Sequence, residues 1–163
     1  MVSRIIQFAL FPIAFVVYVR SFFLPSYRLL RFGGTGYDQI PGWAAALQSS
    51  SFSRGIFNLE ALFDRDFVCV ALMFAANIFM LLSPVLVYRA RPNIIQWVCL
   101  GFLVPVAATL LPIFVPVLDF HRDDWLVGYY VWAWSIIVTY LLVVVYSLSM
   151  RWSERAQARV AQL

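Results

Sequence analysis

The stretch Asp119-Phe120-His121-Arg122-Asp123-Asp124-Trp125 carries the single histidine of this chain and three of its eight acidic residues. Carboxylate and imidazole donors gathered this closely are the raw material of a zinc or calcium site, or of acid–base hydrolysis. The spacing argues against both. Metal sites take three or more donors converging on one point at characteristic separations. This stretch matches none of them, and no second histidine or cysteine lies nearby. A hydrolase needs a nucleophile held against its base, and His121 has no Ser or Cys partner in view. The simpler reading is an acidic turn between two helices, with Asp124 capping the second. There is no P-loop, no GxGxxG and no haem-ligating histidine pair. The sequence therefore predicts no enzyme, no catalytic residue, no cofactor and no metal.

The elements that flank this turn are set by composition. The 163 residues suit a single domain, but 63% are hydrophobic and only 12% charged, with a mean hydropathy of +0.84. A soluble domain is nearer half apolar and a quarter charged. A globule of this size cannot bury the excess, so lipid is its natural solvent. The net charge of +4 comes from twelve arginines and no lysine. They are scattered near the edges of apolar runs and form no long patch, which excludes a nucleic-acid partner. Cys69 and Cys99 lie inside apolar runs without a CxxC spacing and read as buried thiols. The N-terminal apolar run lacks a small-residue cleavage site and reads as a retained helix.

A membrane helix takes about 20 apolar residues. Four spans follow, at about 5–24, 67–88, 94–118 and 125–150. Together they predict an all-α integral membrane protein, a four-helix bundle in one domain covering residues 1–163. Pro25–Asp66 is a long first extracytoplasmic loop, a cap containing turns in "RFGGTGYDQIPGW" and short helices in "GWAAALQ" and "FNLEALFDRD". Residues 151–163 form a tail. Tyr88, Trp97, Trp125 and Trp152 sit at span ends, where amphipathic rings favour the headgroup layer. Arg89 and Arg91 in a short turn, with Arg151, Arg155 and Arg159 in the tail, orient both termini to the cytoplasm of a bacterial inner membrane.

Within the spans, Gly101, Pro105, Ala108, Pro112 and Pro116 share one face of the third helix, and Gly128, Trp132, Ser135, Thr139, Leu142, Tyr146 and Ser149 one face of the fourth. Small and hydroxylated residues on such stripes let membrane helices approach and hydrogen-bond. They are candidate packing or partner contacts. Pro105, Pro112 and Pro116 predict a kink in the third span. Asn77 is the most polar residue deep in a span, and its amide should bond across helices, with Thr109 or Ser135 as candidate partners. No span carries an ionisable residue at its centre, which argues against a proton pump or ion-coupled carrier.

Four spans, a long first external loop and both ends inside resemble the claudin plan. The claudin loop motif, a W-GLW run with two cysteines, does not occur in Pro25–Asp66, which has no cysteine. The resemblance implies architecture and no activity. The expected function is that of a non-enzymatic membrane subunit. It would sit among membrane lipids and pack against a homo-oligomer copy or a larger membrane-protein partner. A homo-oligomeric pore or membrane-perturbing effector is the alternative, and a lipid-modifying enzyme the remotest.

Overall fold

The computed structural model describes residues 2–30, 37–44, 65–110 and 126–160. The first helix, α1, is continuous but not uniform. It runs as α-helix over Val2–Ile5, widens to a π turn over Ile6–Leu10, and resumes as α-helix over Phe11–Ser21. Pro12 explains the widening. It has no N–H to give, and its ring crowds the carbonyl one turn back. The wide turn, in which the Phe11 N–H bonds to the Ile6 carbonyl, sits just ahead of it and lets the helix continue. At the other end the Ser21 hydroxyl donates to the Tyr18 carbonyl at 2.6 Å.

A strand pair follows, β1 (Pro25–Leu30) and β2 (Tyr37–Pro41), antiparallel, with an irregularity between Pro25 and Tyr27. Pro25 faces Pro41 at the outer end of the ladder, where a missing N–H disrupts least. The pair is rooted in the end of α1, since Gly42 N–H donates to Leu24 O at 3.0 Å and Trp43 N–H to Phe22 O at 2.9 Å. A Cβ on Gly42 would stand 2.7 Å from Ser21 O, so only glycine fits there. These strands correct the all-helical expectation for this loop, because "YDQIP" is strand rather than turn. Each run is too short to show a period-two pattern, and the glycines nearby dominate the local signal. Gly42–Ala44 are helical. The rest of "GWAAALQ" and nearly all of "FNLEALFDRD" lie outside the described residues, as does the acidic turn with His121.

The second helix, α2 (Arg65–Arg89), is followed after two residues by α3 (Pro92–Ala108). Arg91 is extended, as the residue before a proline prefers, and Pro92 opens α3, where its missing N–H is not needed. Pro84 and Pro105 lie inside their helices. Thr109 and Leu110 turn back on Val106 and Ala107. Pro112 and Pro116 are outside the described residues, and so is most of the second half of the expected third span.

The last helix, α4 (Val127–Val160), has 34 residues, which at a 1.5 Å rise make about 51 Å of helix, against roughly 30 Å of bilayer core. It continues without a break past Met150, so residues 151–160 of the expected tail are helical. Three stretches are long and apolar enough to cross a membrane: Ser3–Ser21, Ala71–Arg89 and Val127–Val160. The apolar α3 is shorter, at 17 residues.

The helices pack α1 on α4, α2 on α3, and α3 on α4. Phe79, Met80, Ile95, Ile136 and Val143 are fully buried at the centre. Cross-links fix their direction. Gln7 reaches the Val87 carbonyl, Tyr88 O–H donates to Gln7 O, Ser147 O–H donates to Pro92 O, and Arg151 donates to Asn93. The start of α1, the α2–α3 turn and the far part of α4 thus share one end of the bundle. That end holds Arg4, Arg89, Arg91 and Arg151. The strand pair lies at the other, where Leu126 N–H donates to Ser26 O at 2.8 Å.

Candidate functional site

The polar centre of the bundle is Asn77 on α2. Its Oδ1 accepts two hydrogen bonds, from the Tyr18 hydroxyl of α1 at 2.8 Å and from the Trp132 indole N–H of α4 at 2.9 Å. Its amide nitrogen donates back to Met73 O at 3.3 Å. One amide oxygen therefore joins three helices. Each donor is held by neighbouring rings. Tyr18 meets Phe22 edge-on at 5.0 Å between centroids, and Trp132 tilts against Tyr129 at 5.5 Å. Tyr129 in turn donates to Thr109 O at 2.5 Å, tying the end of α3 to the start of α4.

The expected partners of Asn77 were Thr109 and Ser135, and neither bonds to it. Thr109 donates to Val106 O at 2.7 Å and Ser135 to Trp132 O at 2.7 Å, each within its own helix. A short hydroxyl reaches the carbonyl of the preceding turn more readily than a neighbouring helix. Phenol and indole carry their donor at the tip of a long apolar body, so they span the gap. Trp132 shares the expected stripe with Ser135 and Thr139, but nothing in the spacing marks it as the residue that reaches Asn77. Tyr18 carries no sequence signal at all, since an aromatic residue in an apolar run reads as packing or as an interface anchor.

The other candidates separate by environment. Gly128 is buried against the backbone leading into β1, and a Cβ there would lie 2.6 Å from Pro25 O and 2.8 Å from Leu24 O. Pro105 and Ala108 are buried. Gly101 points out of the bundle, with nothing within 4 Å of the position its Cβ would take. The buried face of α3 is instead marked by Ile95, Cys99 and Val106. Thr139 is fully enclosed, and its hydroxyl has no hydrogen-bond partner among the described residues. Pro112 lies outside the described residues.

The site clasps helices, its Asn77 oxygen occupied by two donors. Among the described residues no group of His, Cys, Asp and Glu could hold a metal. Cys69 and Cys99 are buried and not joined by a disulfide. Compared with known proteins, the chain matches no family model, no curated protein and no solved structure.

Proposed function

We propose that this chain is a non-enzymatic, multi-pass subunit of a bacterial inner membrane, acting by packing against a second copy or a larger membrane protein. In this reading the four helices span as a bundle. The arginine end, with Arg155 and Arg159 beyond it, faces the cytoplasm as the positive-inside rule requires. The strand pair and the acidic turn face outward.

The observation that carries the proposal is the outer face of α3. Trp97, Leu100 and Val104 stand 74%, 62% and 63% exposed around the open Gly101. A glycine between large apolar side chains on an uncovered face is a notch into which another membrane helix can bring its backbone close. The bundle itself makes no use of it. The pore reading draws less support, because Ser135, Thr139 and Tyr146 of its hydroxyl stripe are buried within this one chain.

Native-mass measurement in mild detergent tests the proposal. The wild-type chain should carry a second chain, its own or a partner's. Gly101→Trp, which fills the notch without touching the chain's own core, should release it while helicity stays unchanged. A stable lone monomer in both cases would sink the idea.

A further inference from the structure

A groove of about 330 Å³ runs along the outside of the bundle between α1 and α4. One wall is the π turn and its approach, with Ile5 and Leu10; the other is Val138, Leu141 and Val145. We propose that this groove holds one acyl chain of an anionic phospholipid whose phosphate is bound by Arg4 and Arg155. This inference needs only that the helices sit in a membrane, and it holds whether or not the chain has a protein partner.

Three observations converge on that occupant. The lining is entirely branched aliphatic, which suits an alkyl chain. A partner helix would be kept at a distance, because close helix approach needs small residues. The groove also coincides with a departure of α1 from ideal geometry. The π turn over Ile6–Leu10 forms its wall, and such turns gather at functional sites. Charge complements the open end. Arg4 leaves α1 one residue beyond Ile5. On α4 the exposed stripe Val138, Leu141, Val145 continues in alternating three- and four-residue steps through Leu148 and Trp152 to Arg155. Arg155 lies about 15 Å further along the axis than Val145. Both arginines belong to the arginine-bearing end of the bundle, and their side chains are long enough to extend toward a phosphate there. Trp152, 76% exposed, precedes Arg155 on that stripe, and an indole favours the headgroup layer. An arginine's planar fork of donors matches phosphate oxygens.

The test is native mass spectrometry of the whole chain, reconstituted with equal phosphatidylglycerol and phosphatidylcholine of matched acyl chains. The wild type should retain one lipid, with phosphatidylglycerol favoured by about fivefold or more for each engaged arginine. Arg4→Gln with Arg155→Gln should keep the bound lipid but erase the preference. Leu141→Trp, at a position 55% exposed and so harmless to the core, should expel the lipid of either class. Arg20→Gln at the opposite end should change nothing, and excess inorganic phosphate should not displace the lipid. Equal retention of both lipids by the wild type would overturn the proposal. So would lipid still bound to Leu141→Trp, a preference lost in Arg20→Gln, or competition by phosphate alone. Unchanged circular dichroism in each variant separates lost binding from lost fold.

Discussion

Asn77 stabilises the bundle because its amide oxygen turns two amphipathic rings into cross-links. Removing it leaves the Tyr18 hydroxyl and the Trp132 indole N–H to find new partners in a medium with few. Asn77→Ala should therefore lower stability by about 1–2 kcal/mol, the range of interhelical hydrogen bonds in membranes, as read from unfolding in mixed detergent. The Tyr18→Phe and Asn77→Ala cycle should return a coupling of about 0.6 kcal/mol or more. A cycle closing at zero would show that this oxygen does not hold α1 to α2. Thr139 is the opposite case. Its enclosed hydroxyl has no partner among the described residues, and an unmade buried hydrogen bond costs about 1–3 kcal/mol. Thr139→Val keeps the shape and removes the polar atom, so it should raise stability. A clear loss in the same assay would reveal that the hydroxyl is satisfied after all.

Between elements, the two glycines of the expected stripes differ in kind. Gly128 lets α4 start directly under the backbone entering β1, and a methyl group there meets two carbonyl oxygens inside van der Waals contact. Gly128→Ala must displace the strand pair or the helix, and it should cost clearly more than 1 kcal/mol, with backbone strain added to lost packing. At Gly101 a methyl group meets nothing. Gly101→Ala should be neutral or stabilise the isolated chain by up to about 1 kcal/mol, because alanine is the better helix former. Thermal unfolding of the two variants side by side distinguishes these environments. If both prove neutral, the close approach at Gly128 is wrong. The π turn of α1 follows the same logic of local geometry, where a proline that cannot donate is accommodated by the turn before it.

At the scale of the whole molecule, the cross-links place the start of α1, the α2–α3 turn and the far part of α4 at one end. In the proposed reading, arginine placement turns that end to the cytoplasm. In a background with Cys69 and Cys99 replaced, an impermeant thiol reagent should label Gln39→Cys on β2 in intact cells. It should label Ala90→Cys and Gln157→Cys only after permeabilisation. Labelling of Ala90→Cys from outside would invert the orientation. Labelling of Ala90→Cys and Gln157→Cys from opposite sides would break the shared end itself.

What the sequence determines by itself is that the chain forms helices long and apolar enough to cross a membrane, and their coarse order. Apolar runs in Phe67–Tyr88 and Trp125–Met150 are long enough that no tertiary context is needed to make them membrane-type helices. Pro92 opens α3 near its expected start for purely local reasons. Asn77 could also be singled out from sequence, since an amide deep in an apolar run must find a partner. Which partner it finds was decided only in three dimensions. Side-chain reach and helix rotation, neither of which periodicity encodes, chose Tyr18 and Trp132 over Thr109 and Ser135. The same holds for Gly101 and Gly128, whose spacing on their helices looks alike. One faces out and the other meets the β1 backbone, because rotation about the helix axis is fixed by neighbours rather than by the helix itself. The strand pair, too, depends on pairing between segments too short to signal alone, and on the α1 carbonyls that Gly42 and Trp43 come back to meet.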